Sequence, residues 1–203
     1  MKTVMIINGA YRPDGHTDRV VAELSRLLTD AGLRVETVML RETSIEFCHN
    51  CRECTQMPGI KPPPCVIDDD MNGLVERMER ADGFIFAAPT NFGTATALFK
   101  RYLERLTVYG IWPWGARMPK LRKQGVAPKP ALLITSCSAP AWIGRWVFHA
   151  MGELKLAART VGATPVGRLI SGQVLAPPGT ALDGPTRHRV ARLGQRFIKA
   201  MAL

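Results

Sequence analysis

Apolar runs alternate with helically spaced apolar positions along almost the whole chain. "KTVMIIN" (2–8) is a short, wholly apolar strand candidate, and "HTDRVVAELSRLLTDAG" (16–32) follows it. Val20, Val21, Leu24, Leu27 and Leu28 share one face of that second segment, and Gly32 suits the residue that ends a helix. "LRVETVML" (33–40) alternates as a strand does. Beyond a cysteine-bearing loop, "DDDMNGLVERMERAD" (68–82) reads as a helix with acidic residues at its start, where the helix dipole favours them. "GFIFAAP" (83–89) and "PALLITS" (130–136) are strands, and "TPVGRLIS" (164–171) is a weaker one. Helices are expected over 94–110, 146–162 and about 180–202, the last with Val190, Leu193, Phe197 and Met201 on its apolar face.

The resulting order is a strand followed by a helix, five times over. Strands that are apolar throughout and separated by helices belong to a parallel sheet covered on both faces. The expectation is an α/β fold: one domain spanning residues 1–203, a doubly wound five-stranded parallel sheet of order 2-1-3-4-5, flavodoxin-like, in a three-layer sandwich. Two long connections interrupt the alternation. One is the cysteine-bearing loop 41–67. The other, 110–129, is rich in Trp, Pro, Lys and Arg.

In such sheets ligands bind beyond the carboxyl ends of the strands. The connection after the first strand reads Gly9-Ala10-Tyr11-Arg12-Pro13-Asp14-Gly15-His16-Thr17 and runs into a helix. Neither GxxxxGK[ST] nor GxGxxG is present. A helix start offers unpaired N–H groups to an anion. Arg12 brings a guanidinium fork, Thr17 a hydroxyl, and Gly15 lets the backbone come close. The plainer alternative is a strand-to-helix turn capped by Thr17 or Asp14. The third strand ends in Pro89-Thr90-Asn91-Phe92-Gly93 and the fourth in Thr135-Ser136-Cys137-Ser138. All three connections fall at one edge of the sheet, an arrangement suited to a flat heteroaromatic with a phosphorylated tail.

Charge changes this picture little. Lys plus Arg number 27 and Asp plus Glu 17, a formal net charge of +10, which favours anionic partners. No zinc-finger, RRM or helix-turn-helix pattern accompanies the charge, so nucleic acid is not an expected partner. No apolar run is long enough to span a bilayer and the N-terminal one is too short for a signal peptide, so no membrane insertion and a cytoplasmic location are expected. Five cysteines, four of them within residues 48–65, read as a reduced metal or redox site rather than a secreted disulfide framework. Cys48, Cys51 and Cys54 have x2 spacings and Cys65 follows ten residues beyond, across a proline-rich stretch. Such a set can hold an iron–sulfur cluster or zinc, or remain as free or paired thiols.

The stretches "GAYRPDGHT", "CHNCREC" and "DDDMNGLVERMERADGFIFAAPTNFGTATALFKRYLER" resemble the NADPH-dependent FMN reductase family, and within it the iron–sulfur flavoprotein-like branch. The likeness is good from residue 1 to about 140 and weaker beyond. The first loop departs from the family's usual Gly-Ser-x-Arg-x-x-Gly-Asn-Thr, with Ala10 for the serine and His16 for the asparagine. The resemblance implies FMN held by Ala10, Arg12, Gly15, His16, Thr17, by Pro89, Thr90, Asn91, Phe92, Gly93, and by Thr135, Ser136, Cys137 and Ser138. It implies NAD(P)H as co-substrate, a small acceptor such as a quinone, azo or nitro compound, and a metal set of Cys48, Cys51, Cys54 and Cys65. No dedicated acid, base or nucleophile is needed, because the chemistry takes place at flavin N5.

Two other classes compete with this oxidoreductase reading. A flavodoxin-like electron carrier is usually acidic, against the +10 of this chain. A cysteine-based metal or redox-sensing module would need no flavin at all. Trp112 and Trp114, between basic residues, suggest an interface core and hence a homodimer or homotetramer.

Overall fold

The computed structural model describes residues 1–202, apart from the side chain of Arg145; Leu203, the end of the expected domain, lies outside the described residues. In chain order the elements are β1 (Thr3–Asn8), α1 (His16–Asp30), β2 (Arg34–Met39), α2 (Asp70–Arg80), β3 (Gly83–Ala87), β4 (Thr90–Asn91), β5 (Thr94–Ala95), α3 (Ala97–Arg105), β6 (Gly110–Ile111), β7 (Lys120–Leu121), β8 (Lys129–Ser136), α4 (Ala141–Trp146), α5 (Ala150–Thr160), β9 (Ala163–Ser171) and α6 (Gly184–Ala202). The five long strands form one parallel sheet in the order β2-β1-β3-β8-β9. Counted among themselves these strands run 2-1-3-4-5, the flavodoxin-like arrangement.

Period-two alternation divides each central strand between two cores. Val4 and Ile6 of β1, Ile85 of β3 and Leu132 and Ile134 of β8 face α1 and α6, where they meet Val20, Leu24, Leu28, Val190 and Phe197. Met5, Ile7, Phe84, Phe86, Ala131 and Leu133 face the other way, against Met71 and Leu74 of α2, Phe99 and Tyr102 of α3, and Leu154 and Ala157 of α5. The result is a three-layer sandwich with the sheet in the middle. Gly32 (φ +81°) follows the last turn of α1 and lets the chain reverse into β2.

Three segments differ from the sequence expectation. The helix expected over 94–110 starts later: residues 90–95 fold into a β4–β5 hairpin, Thr96 caps α3 by accepting from the Phe99 N–H, and a 3-10 helix over Leu106–Tyr109 continues α3. The helix expected over 146–162 is broken into α4 and α5, with Val147, Phe148 and His149 between them. The 110–129 connection carries its own hairpin, β6–β7. Both of its tryptophans lie against Arg52 of the same chain. The Arg52 guanidinium carbon lies 3.8 Å from the Trp112 ring centre and 4.3 Å from that of Trp114, and Arg52 donates to the Trp112 carbonyl at 2.7 Å. The stacking gives each ring a contact on its own chain, and Trp114 stays 64% exposed beside it.

Candidate cofactor site

Beyond the carboxyl ends of β1, β3 and β8 lies a cleft of about 400 Å³. Of the residues expected there, Ala10, Arg12, Gly15, His16, Thr17, Pro89, Thr90, Asn91, Ser136, Cys137 and Ser138 line it. Thr135 sits one layer beneath: it is buried, and its Oγ1 is 3.3 Å from that of Thr90. Phe92 and Gly93 form the tip of the β4–β5 hairpin outside the lining. Tyr11, Thr96, Val174, Ala176 and Pro178 line the cleft without having been expected.

The first loop is held from below by a buried polar network. Asn8, fully buried at the end of β1, donates to Asp18 Oδ1 at 2.7 Å and accepts the Ala10 N–H at 2.9 Å. Asp18 Oδ2 accepts the Asp14 N–H at 3.0 Å and pairs with Arg41 at 3.0 Å. Arg41 also donates to the Ala10 carbonyl at 3.2 Å. Asp14 itself has φ +53°, and its carboxylate pairs with Arg19 at 2.7 Å. A Cβ on Gly9 would come within 2.8 Å of Phe99 Cβ, so only glycine lets the loop lie against α3. The Gly9, Ala10 and Asp14 N–H groups are thus spent on this scaffold.

Neither side-chain cap expected for α1 is present. The residue preceding the helix is Gly15, and no side chain bonds to the first turn. The turn therefore presents its N–H groups to the cleft with the helix dipole behind them. Thr17 Oγ1 lies 3.0 Å from Ser136 Oγ, which ties α1 to the end of β8. His16 Nε2 is buried and unpartnered. Burial lowers the His16 pKa, with Asp183 pulling the other way and Arg189 adding to the lowering. An uncapped helix start, two hydroxyls, a neutral imidazole and the Arg12 guanidinium make a site for a phosphate. The apolar Ala10, Pro89, Cys137 and Val174 leave room for a flat ring, so the donor set and the cleft fit FMN.

The second wall is a strained turn. Phe92 (φ +52°) and Gly93 (φ +82°) both occupy the left-handed region, the conformation that a two-residue hairpin of this twist requires. Glycine suits it; phenylalanine does not. The hairpin is clamped by α5: Glu153 accepts the Ala95 N–H at 2.7 Å and the His149 N–H donates to the Gly93 carbonyl at 2.7 Å. Phe92 is thereby held with its ring fully in solvent.

A fifth connection, 172–183, closes the remaining side. Gln173 and Val174 donate to the carbonyls of Ala139 and Cys137 at 2.9 and 3.0 Å. Farther along, the Gly179 N–H reaches the Asp14 carbonyl at 2.9 Å, and Arg19 bridges Asp14 to the Gly179 carbonyl. Nothing but Gly and Pro content marked this segment in the sequence.

The four cysteines of the 41–67 loop stand apart from the cleft that Cys137 lines. All five are free; Cys51 is exposed, Cys48 and Cys65 are partly buried, and Cys54 and Cys137 are buried. Burial pushes the Cys54 thiol up to about 11, and neighbouring Cys65, Cys48 and Cys51 add to the shift. The four thiols thus sense one another. Yet among the described residues no group of three or more His, Cys, Asp or Glu side chains is arranged to hold a metal ion. The donor chemistry suits iron–sulfur or zinc; the arrangement does not. The loop is anchored by a buried pair, Arg105 with Asp69, in which Arg105 also donates to the Glu46 carbonyl at 2.8 Å.

Fold and cleft together define a flavodoxin-like α/β protein with a candidate ligand cleft at the sheet's switch point. The model of the NADPH-dependent FMN reductase family matches residues 1–169, and the chain belongs to that family. It is similar to an iron-sulfur flavoprotein of Methanocaldococcus jannaschii, 29% identical over 102 residues, a match covering 50% of this chain and 50% of that protein. An iron-sulfur flavoprotein of Archaeoglobus fulgidus is 30% identical over 113 residues, covering 56% of this chain and 49% of the relative. The chain thus spans about half the length of these curated relatives. Among solved structures, an NAD(P)H:quinone oxidoreductase from Methanothermobacter marburgensis superposes with a TM-score of 0.67 at 18% identity, over 98% of each chain. At that identity the likeness is one of fold. No helix among the described residues is long and apolar enough to cross a membrane.

Proposed function

We propose that the protein is an FMN-dependent NAD(P)H oxidoreductase that passes electrons to a small acceptor such as a quinone, azo or nitro compound. The observation that carries this reading is the uncapped start of α1, with unpartnered His16 Nε2 beside it, opening into a cleft whose other walls are the β3 and β8 loops. Bound there, FMN supplies hydride acceptance and release at N5. The protein's part is binding and orientation. The first-turn N–H groups, Arg12 and Thr17 hold the phosphate; Thr90, Asn91, Ser136 and Ser138 offer hydrogen bonds beside the ring; Pro89 and Cys137 supply apolar contact. Gly93 and the exposed Phe92, at the hairpin tip outside the lining, would meet the ring only from the rim.

The cysteine loop lies outside this path, and no electron step is assigned to it. A homodimer remains part of the proposal on different grounds from the tryptophans. Tyr11, Phe92 and Trp142 are exposed around the cleft, and a second copy would keep the flavin face dry. Light scattering that shows only monomer at working concentration would remove this element and leave the rest.

One absorption spectrum tests the reading as a whole. Protein reconstituted with FMN should show flavin bands that bleach on adding NADPH under argon and return with a quinone. Bands that persist with NADPH would point to a carrier; no retained flavin would leave a cysteine-based module.

A further inference from the structure

Behind the cleft, under the 172–183 connection, is a second chamber of about 350 Å³. It shares His16, Val174 and Ala176 with the cleft, so the two meet at the start of α1, where the phosphate is proposed to sit. Two buried polar atoms lack partners in this region, His16 Nε2 and Ser171 Oγ, and Ser171 is only 4% exposed. A buried hydroxyl without a partner is costly, and native proteins rarely leave one without reason. The rest of the lining has a definite chemistry. Arg189, which spends one NH2 bond on the Ile170 carbonyl at 2.6 Å, brings a cation. Asp183, exposed at the chamber's edge, uses Oδ1 to accept the Thr186 N–H at 2.6 Å and brings a carboxylate. Leu175 and Leu182 are apolar walls.

We infer that this chamber binds an adenosine phosphate: the guanidinium for phosphate, the Asp183 carboxylate and Ser171 hydroxyl for ribose hydroxyls, and the leucines for the base. A carboxylate for ribose and a cation for phosphate are the pairing that dinucleotide sites use elsewhere. Two sources share this chemistry. Because the chamber opens from the phosphate end of the cleft, the adenylate half of FAD is one; a separate adenine nucleotide is the other. The inference rests on the flavin reading for the first source and is independent of it for the second.

The experiment compares FMN, FAD and 5′-AMP by titration calorimetry on flavin-free protein, then 5′-AMP on FMN-loaded protein. Ser171→Ala and Arg189→Met are the variants, with melting curves to verify folding. FAD should bind about tenfold or more tighter than FMN, a gain of about 1.4 kcal/mol. Both variants should abolish that gain and leave FMN binding unchanged. Binding of 5′-AMP to FMN-loaded protein, lost in Ser171→Ala, would assign the chamber to a separate nucleotide. If FMN fails to bind while 5′-AMP binds and depends on Ser171, the flavin reading falls and the chamber stands. FAD no tighter than FMN together with no 5′-AMP binding overturns the inference. So does nucleotide binding that Ser171→Ala leaves intact in a folded protein.

Discussion

Thr17 Oγ1 and Ser136 Oγ lie 3.0 Å apart, and this contact joins the first turn of α1 to the last residue of β8 across the floor of the cleft. Both residues are buried, so each hydroxyl has one polar neighbour in the protein and one open side toward the cleft. Arg12, at the rim, is exposed. Changing Arg12 and Thr17 together to alanine removes a charge-assisted bond and a hydroxyl donor. FMN affinity should fall by roughly 2 to 4 kcal/mol in a fluorescence titration. An unchanged dissociation constant would rule out this phosphate site.

Phe92 supplies a prediction of opposite sign for stability and function. At φ +52° a phenylalanine carries strain of about 1 to 2 kcal/mol that asparagine tolerates better. Its ring is in solvent, so no core packing is lost with it. Phe92→Asn should raise the stability of flavin-free protein by about 1 kcal/mol in urea unfolding. The same variant should weaken flavin or acceptor binding. Lower stability would mean the ring has a partner on its own chain.

These two residues mark how far the sequence could be read. The apolar runs at Val4–Ile7, Phe84–Ala88 and Leu132–Ile134 announced buried parallel strands, and their loops had to share an edge. The switch to a hairpin at Thr90–Ala95 was hidden because Thr94–Leu106 continues a helical rhythm; the Glu153 carboxylate that clamps it is 58 residues away. The 172–183 wall has no periodicity to read. The Arg52 stack on Trp112 is a contact across 60 residues, so the tryptophans looked unclaimed. Nothing in the sequence sets Asn8 and Asp18, ten residues apart, off as the network under the loop.

The Arg105–Asp69 pair should matter for folding. Their side chains are 1% and 3% exposed, and Asp69 also caps α2 by accepting the Met71 N–H at 3.0 Å. Burial alone would raise the Asp69 pKa, but hydrogen bonds from Arg105 and from the Glu46 and Met71 N–H groups outweigh it and hold the carboxyl below its ordinary value. Arg105→Ala leaves that buried carboxylate without its cation, held only by two N–H groups, and should cost about 3 kcal/mol by chemical unfolding. A carboxyl held low in the folded state stabilises above its unfolded pKa of 3.8 and loses that contribution as pH falls through the lower folded value. The variant should therefore lose less stability between pH 4 and pH 2 (about the range of native carboxylates) than the parent. A cost under about 1 kcal/mol would mean solvent reaches the pair.

His16 titrates in a different window. Its folded pKa lies below 6.5 because burial disfavours the imidazolium, and Arg189 adds to this against the pull of Asp183. The unfolded chain then binds the proton more readily. The His16 contribution is fully present above pH 6.5 and diminishes as pH falls through the gap between the two values. Thermal melts of flavin-free protein should show a decline below that point, and His16→Gln should reduce it. An identical decline in the variant would assign the effect to other groups.

The cysteine loop gives the sharpest division. Cys54 is buried with its thiol pushed up to about 11, a poor starting point for a thiolate ligand, and the described side chains form no metal-holding group. The loop is nevertheless bound firmly to the body through Arg105 at one end and Arg122 at the other, the latter donating to the Cys54 carbonyl at 2.9 Å and the Gly59 carbonyl at 3.0 Å. Removing one exposed sulfur should leave that anchorage intact. Cys51→Ser is thus expected to keep its FMN, its melting temperature and its rate of flavin reduction by NADPH. Protein prepared in air should contain little iron. A cluster would reverse each expectation except FMN retention: the parent, purified anaerobically, would carry stoichiometric iron and acid-labile sulfide with broad brown absorbance, and Cys51→Ser would lose them together with transfer to one-electron acceptors. Iron and sulfide measured on the anaerobic parent decide between the two before any variant is made, because a ligand set that forms only around its metal would show there first.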